Sequence, residues 1–175
     1  MCATRGINYE SNVSFLLNTL AQNSGAQATN SKVGMSVEIL DFCNVLTYLA
    51  DIFDHTGDKH VLNALILFSM RGYGYPGEYT SRLLVDMLLQ QPETFVSVLS
   101  AKDEHTRKAV IDSMVFGIWN NQQRGNVIKV INENLHLTDQ REKDTVSHLT
   151  NEINRKFRES STNGKDSHIE QNSKK

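Results

Sequence analysis

The sequence contains little proline and no long apolar run. Only two prolines occur among its 175 residues, which favours uninterrupted helices because proline is excluded from helix interiors. Asn63, Ser69 and Arg71 interrupt the longest apolar stretch, which therefore falls short of the roughly 20 apolar residues that a membrane-spanning helix needs. We therefore expect a soluble protein without a membrane span.

Cysteine is equally scarce, since Cys2 and Cys43 are the only two. They provide no zinc-binding spacing, and a disulfide between them is not expected because Cys2 lies in an end of the chain. Cys43 stands in an apolar run and is predicted to be a small buried side chain. The start M-C-A-T-R has neither the basic nor the apolar region of a signal peptide, so we expect a cytoplasmic protein. The alternative is an exported or lipid-anchored protein in which Cys2 follows a removed leader.

An excess of charge of one sign is also missing. The 18 Lys and Arg residues and 20 Asp and Glu residues give a formal net charge of −2. No overall basic field is available to attract nucleic acid, so we expect no nucleic-acid partner. The fractions of hydrophobic residues, 39%, and charged residues, 22%, are typical of a globular domain. A chain of this length can bury a substantial core within one domain.

What the sequence does contain is a succession of apolar residues three and four positions apart, the spacing of amphipathic helices. Eight segments show it: 10–23, 37–54, 59–70, 79–90, 93–99, a segment after Asp103 that reaches Trp119, 126–135, and a final segment from Thr138. We predict an all-α protein, a single domain of about eight stacked antiparallel helices. The third segment is apolar nearly all round, which predicts a central core helix.

The composition changes along the chain and predicts a division into three parts. Residues 1–35 are predicted to form a short N-terminal helix and a polar linker. Residues 36–159 are predicted to form the helical core domain. Residues 160–175 are polar and nearly without apolar side chains, so we expect a disordered tail.

Residues with preferences for helix ends mark several boundaries. Gly57 is predicted to end one helix and Asp58 to cap the next. Pro92 suits the first position of a helix, and Asp103 is predicted to be an N-cap. Residues 122–125 are predicted to turn the chain.

The segment R-G-Y-G-Y-P-G-E-Y-T, residues 71–80, concentrates glycine and tyrosine between two helical patterns. Gly72, Gly74 and Gly77 have the spacing of a dinucleotide-binding turn, which joins a strand to a helix. Pro76 inside the glycine frame weighs against that interpretation, and so does the lack of further β-units. We favour a helix–helix connection in which Gly72 ends one helix and Pro76-Gly77 form a turn. We therefore expect no cofactor.

Three of the chain's five tyrosines lie in this same segment. Buried tyrosines commonly pack against helix ends and form one hydrogen bond, whereas exposed tyrosines provide rigid contact area at protein interfaces. We take Tyr73, Tyr75 and Tyr79, with the neighbouring Arg71, as a candidate binding surface.

Carboxylates and imidazoles cluster in the segment D-I-F-D-H-T-G-D-K-H. Such groups can hold a divalent metal or act in acid–base catalysis, so one alternative is a metal-dependent enzyme that uses Asp54, His55, Asp58 and His60. Their spacing matches no common ligand motif, and capping of helix ends explains them more simply. We predict no catalytic residue and no metal site. Asp51, Asp54 and Asp58 remain candidates for contact with a basic partner.

The segment from Thr138 is a charged rod with one narrow apolar stripe. The stripe consists of Val146, Leu149, Ile153 and Phe157. Such a helix usually docks along one seam and leaves its charged face in water. The alternative is pairing of the stripe with a second copy, which would make the protein a homodimer with a structural role.

The stretch L-S-A-K-D-E-H-T-R-K-A-V, residues 99–110, resembles the turn and second helix of a HEAT-type repeat. The matching positions are Asp103, Arg107 and Ala109, and the departures are Ala101 and Thr106. The resemblance covers about one helix pair, residues 93–119, and no fixed repeat period runs along the chain. It implies a HEAT-like stack of helix pairs that binds through one face.

A helical domain without a catalytic motif is best interpreted as a non-catalytic protein-binding module. A scaffold, an inhibitor and an immunity-type protein all suit this description. We therefore expect a protein partner, with the metal-dependent enzyme and the homodimer as the alternatives.

Overall fold

The computed structural model describes residues 13–14, 37–70, 75–133, 135–137 and 139–166, with the side chains at 37–42, 75–76 and 160–166 outside the description. This part of the chain forms seven helices and contains no strand. The helices are α1 Val37–Thr56, α2 Lys59–Ser69, α3 Tyr75–Gln90, α4 Pro92–Ser100, α5 Glu104–Gly117, α6 Asn121–Glu133 and α7 Gln140–Asp166. The prediction of a single all-α domain is confirmed. Most of the first predicted helix, 10–23, lies outside the described residues.

One buried core joins all seven helices. It includes Phe53 of α1, Leu65 of α2 and Phe95 of α4, each with no exposed surface. Val13 also belongs to this core. Cys43 is buried as predicted, and burial raises the pKa of its thiol.

The central element is α3, which contacts α1, α2, α4, α5 and α6. Leu84, Val85 and Met87 are buried on it, and so are the polar residues Thr80 and Ser81. Arg82, Asp86 and Gln90 form its exposed face, so α3 is central because of the number of helices that it contacts. The sequence predicted a central position for α2, which contacts α1, α3, α4 and α5 and buries six of its eleven residues. One edge of α2 faces solvent, because Leu67 is 49% exposed.

Helix ends follow the residues that were expected to set them. Gly57 has a φ of +64°, the left-handed conformation that favours glycine, and its N–H donates to the carbonyl oxygen of Phe53 at 2.7 Å. The Oδ1 atom of Asp58 accepts from the N–H of His60 at 2.9 Å and caps α2. Pro92 begins α4 and Asp103 caps α5. These four predictions are confirmed.

Two other boundaries differ from the predicted ones. Pro76 and Gly77 lie in the first turn of α3 instead of forming a turn before it, which is possible because the missing N–H of proline has no partner in a first turn anyway. Residues 122–125 lie inside α6. The Oδ1 atom of Asn120 accepts from the N–H of Gln123 at 2.8 Å and starts that helix earlier than predicted.

The dinucleotide-binding alternative required a strand before its turn, at about 64–70, and a second strand after the helix that follows the turn, at 94–99. Residues 64–69 lie in α2 and residues 94–99 lie in α4. The helical context that favoured a helix–helix connection is therefore the one observed.

The last helix, α7, packs along α4, α5 and α6. Leu149 and Ile153 of its apolar stripe are buried, while Val146 and Phe157 pack against the core from its edge. The stripe considered for pairing with a second copy is thus occupied within the chain. The helix continues to Asp166, past residue 160, where the polar tail was predicted to begin.

The segment that resembles a HEAT repeat joins α4 to α5. The Oδ1 atom of Asp103 accepts from the N–H of Thr106 at 2.9 Å, and its Oδ2 atom accepts from the Thr106 hydroxyl at 2.6 Å. These bonds hold the pKa of Asp103 below its usual value. The Nη1 atom of Arg107 donates to the carbonyl oxygens of Ser100 and Lys102 at 3.5 and 3.4 Å. Asp103 and Arg107, two of the three matching residues, therefore stabilise this turn, and the HEAT-like assignment stays a prediction.

Candidate functional site

Only part of the predicted tyrosine surface lies within the described residues. Arg71 and Tyr73 lie outside the described residues, and for Tyr75 only the backbone, in the first turn of α3, is described. Tyr79 is half-buried, and its hydroxyl lies 2.6 Å from the hydroxyl of Thr47. Tyr79 thus connects α3 to α1.

The acidic residues named from the sequence lie around the junction of α1 and α2. Asp51 is exposed and lies 3.4 Å from the Nδ1 atom of His55. Asp58 caps α2 and lies 3.3 Å from the Nδ1 atom of His60. No three His, Cys, Asp or Glu side chains in the described part of the chain converge in a way that could hold a metal ion. The residues of the metal-dependent alternative therefore do not form a ligand set there.

Asp54 is half-buried and differs from Asp51 and Asp58 in its hydrogen bonding. Its Oδ1 atom is shielded from solvent and has no hydrogen-bond partner among the described residues. Burial raises the pKa of this carboxyl to about 6, and the negative charges of Asp51 and Asp86 add to the effect, while His55 opposes it. Asp86 comes from α3, and burial raises the pKa of its carboxyl as well. Asp54 is thus part of the contact between α1 and α3.

Two large aromatic side chains at the carboxyl end of α5 are exposed. Phe116 is 56% exposed and Trp119 is 55% exposed. They border an open groove of about 610 Å³ between the end of α5 and α7. The lining residues are Phe116, Ile118, Trp119, Asn120, Asn121, Lys156 and Phe157. We call this the aromatic groove.

Sequence reasoning did not single out the aromatic groove. A signal was available for Phe116, because the buried face of α5 includes Met114 and Val115 and continues to Ile118. Phe116 lies about 200° around the helix axis from Met114, on the opposite face. The exposure of Trp119 could not be anticipated, since it follows the last residue of α5 and its direction depends on the packing of that helix end.

Three cationic side chains lie over the aromatic rings of the groove. The guanidinium of Arg82 lies 3.5 Å from the centre of the Trp119 ring system. The guanidinium of Arg124 lies 5.3 Å from the centre of Phe157, and the Nζ atom of Lys156 lies 5.8 Å from the centre of Phe116. Cations at these distances are attracted by the negative face of the ring.

Lys156 also closes the end of α5. Its Nζ atom donates to the carbonyl oxygens of Val115, Phe116 and Ile118 at 2.5, 3.2 and 2.8 Å. The last carbonyls of a helix have no partner within the helix and carry partial negative charge, so a cation stabilises them. Burial lowers the pKa of the Lys156 ammonium. All three of its N–H donors are used, which makes Lys156 a fixed wall of the groove.

Gly117 brings the groove together by allowing α5 to approach α3 closely. A Cβ atom at this position would lie 2.6 Å from the carbonyl oxygen of Ser81, closer than two such atoms can come. The hydroxyls of Ser81 and Ser113 lie 2.7 Å apart at the same crossing. Arg82 follows Ser81 and Trp119 lies two residues beyond Gly117, so the close crossing stacks the guanidinium on the indole.

Comparison of the chain with protein-family models, with curated proteins and with solved structures gives no match. The role of the aromatic groove therefore has to be inferred from its geometry.

Among the described residues, no helix combines the length and apolar character needed to cross a bilayer.

Proposed function

We propose that this protein is a non-catalytic protein-binding module, such as a scaffold or an inhibitor, and that the aromatic groove is its contact surface. The observation that carries the proposal is the exposure of Phe116 and Trp119, each by more than half, on one open groove. Adjacent exposed aromatic side chains are enriched at protein–protein interfaces and uncommon on surfaces that stay in water.

The energetics of the exposed rings support the same conclusion. Covering the exposed part of one large aromatic side chain stabilises a complex by about 1–2 kcal/mol. Tyrosine and tryptophan rings also have few rotatable bonds, so little conformational entropy is lost when a partner covers them. Covering Phe116 and Trp119 would therefore contribute part of the binding free energy of a complex.

Pre-organisation of the groove adds to this contribution. The Arg82 guanidinium lies against one face of Trp119, and Lys156 is held by three carbonyl oxygens at the end of α5. Groups that are already fixed before binding lose less freedom when a partner docks. The groove is therefore ready to bind without rearranging.

Quantitative affinity capture with the full chain tests the proposal. The variants Phe116→Ala and Trp119→Ala are compared with Tyr48→Ala, which removes a 63% exposed aromatic side chain of α1. We expect the same partner proteins to be lost with both groove variants and retained with Tyr48→Ala. Circular dichroism must show an unchanged helical content in all three, since each side chain is exposed.

The predicted tyrosine surface provides the competing outcome. If Tyr73→Ala and Tyr75→Ala abolish capture while both groove variants retain it, contact occurs through segment 71–80 and the assignment to the groove is wrong. Retention of every partner by all four variants would contradict a binding role for either surface.

A further inference from the structure

The aromatic groove combines an apolar floor with positive charge. Arg82, Arg124 and Lys156 all lie over its rings, and no carboxylate is among its lining residues. The chain as a whole has a formal net charge of −2, so this positive charge is local. A partner that fits the groove must bring negative charge next to an apolar group.

Among the three cations, Arg82 is the one whose N–H donors are all without a protein partner in the described part of the chain. Lys156 uses its N–H donors on the carbonyl oxygens at the end of α5. Arg124 donates from its Nη2 atom to the Oδ1 atom of Asn154 at 2.8 Å. In the part of the chain that the structure describes, Arg82 forms no hydrogen bond or ion pair, and its interaction is the stack on Trp119.

The stack fixes how Arg82 can bind. The indole covers one face of the guanidinium, at 3.5 Å from the ring centre, whereas the N–H donors of a guanidinium lie in its plane and point outward from its edge. Two parallel N–H groups at such an edge match the two oxygen atoms of a carboxylate. Because stacking holds the plane in place, a carboxylate that pairs with Arg82 must approach within that plane, beside Trp119, which lines the groove.

From this arrangement we propose that the groove binds an acidic peptide segment of the partner protein. An aliphatic or aromatic side chain of the peptide packs between Phe116, Trp119 and Phe157, and a neighbouring Asp or Glu carboxylate pairs with Arg82. This inference rests on the proposed protein-binding function and adds the chemistry of the partner.

A carboxylate suits the site better than two other anionic partners. Recognition of a phosphorylated peptide uses clusters of arginines, whereas here Arg82 and Arg124 lie over different rings, Trp119 and Phe157, and Arg124 is already bonded to Asn154. Single-stranded nucleic acid requires a basic groove that follows several phosphates, and the net charge of −2 opposes that. Both partners nonetheless serve as competitors of the acidic peptide in the binding experiment.

Trp119 is the chain's only tryptophan, so its fluorescence reports occupation of the groove directly. The full chain is titrated with peptide libraries that contain no tryptophan and carry a central Leu or Phe. In the first library the flanking positions are Asp or Glu, in the second Asn or Gln, and in the third Lys or Arg. We expect the acidic library to change the emission at concentrations about tenfold or more below the amide library, the effect of one charge-assisted pair.

Substitutions at Arg82 separate charge recognition from folding. Arg82→Gln should remove the preference for the acidic library and leave affinity for the amide library unchanged. Arg82→Glu should reverse the preference toward the basic library, which a purely structural role of Arg82 would not produce. Lys129→Gln, which removes an exposed lysine of α6 paired with Glu133 at 3.8 Å, is the matched control and should change neither affinity.

The outcomes distinguish this inference from the proposed function. If Phe116→Ala and Trp119→Ala lose partner proteins but the acidic and amide libraries bind equally, the groove is a protein-binding surface and the acidic specificity is wrong. Tighter binding of a phosphopeptide library, or of a single-stranded oligonucleotide, than of the acidic library would also overturn it. If Phe116→Ala and Trp119→Ala lose no partner protein, the assignment of the groove as the contact surface is wrong, and the acidic specificity that rests on it is wrong as well.

Discussion

Asp54 is a residue whose ionisation opposes the folded state. Burial raises the pKa of its carboxyl from 3.8 to about 6, so between these values the folded chain holds a proton that the unfolded chain has released. The free energy of unfolding therefore falls as the pH rises through this window, and the cost is fully present above pH 6. We predict that Asp54→Asn stabilises the protein by about 1 kcal/mol at pH 7, a value reduced for partial exposure. The variant should have no effect near pH 3.5, and urea unfolding at the two pH values measures both.

The exposed Asp112 of α5 provides the control for Asp54. Asp112→Asn should change the free energy of unfolding by less than about 0.5 kcal/mol at either pH. A loss of stability in Asp54→Asn at pH 7 would mean that the charged carboxylate of Asp54 has a favourable partner, and that its ionisation supports the folded state instead of opposing it.

At the same scale, the sequence predicted caps well and buried charge poorly. Asp58 and Asp103 were identified because a cap acts on a backbone N–H two or three residues away. Asp54 was explained as a residue of a helix end. The pKa of its carboxyl is raised in part by the charge of Asp86 on α3, and the Nε2 atom of Gln91 donates to its backbone carbonyl oxygen at 2.9 Å. Those residues are 32 and 37 positions away, beyond the reach of a local pattern.

At the scale of elements, Gly117 and Gly125 form a matched pair. A Cβ atom at Gly117 would lie 2.6 Å from a backbone oxygen of α3, whereas at Gly125 nothing lies within 4 Å. We predict that Gly117→Ala lowers the free energy of unfolding by about 1–3 kcal/mol because backbone must move. Gly125→Ala should raise it by about 0.5–1 kcal/mol, since alanine is the better helix former. Urea unfolding of the two variants measures both changes.

The Gly117 substitution has a second consequence that separates it from a general loss of stability. Pushing the end of α5 away from Ser81 should also separate Trp119 from Arg82, and the emission of Trp119 should shift in folded protein without denaturant. Gly125→Ala should leave the emission unchanged. An unshifted spectrum in Gly117→Ala would show that the α3–α5 crossing does not position the stack.

The two misplaced helix boundaries have a common physical cause. Pro76 and Gly125 were interpreted as signals that break a helix, but Pro76 stands in a first turn and Gly125 lies in an otherwise regular helix, α6. Glycine inside a helix costs only about 1 kcal/mol, which packing against the core can offset. Asn120 was the better boundary signal, because its side chain caps the first turn of α6.

At the scale of the whole molecule, the sequence predicted the fold class but not that α3 contacts five of the other six described helices. Each of the seven described helices was anticipated from periodic apolar residues, because that pattern is local. The position of α3 depends also on small polar residues, since Thr80 and Ser81 are buried and allow neighbouring helices to approach. Hydrophobicity alone ranks α2 above α3. The aromatic groove was missed because it combines the end of α5 and the start of α6 with residues of α7 that are far away in the sequence.

The central position of α3 predicts a hierarchy of stability that hydrogen exchange can measure. Amides of α3 should exchange only through global unfolding, because this helix contacts five others. Amides of α6 should exchange more rapidly through local opening, because only Val127 and Ile131 are buried on that helix.

Two variants test this hierarchy. A substitution lowers the protection of an amide only if the opening that exposes this amide also breaks the contacts of the substituted side chain. Leu84→Ala removes a fully buried side chain of α3 and should lower the protection of α3 by about 2–5 kcal/mol. It should leave the protection of α6 unchanged, since the core stays packed while α6 opens. Val127→Ala should lower the protection of both helices, because local opening and global unfolding each expose that side chain. Equal losses in α3 and α6 for Leu84→Ala would instead mean that the seven helices unfold as one unit.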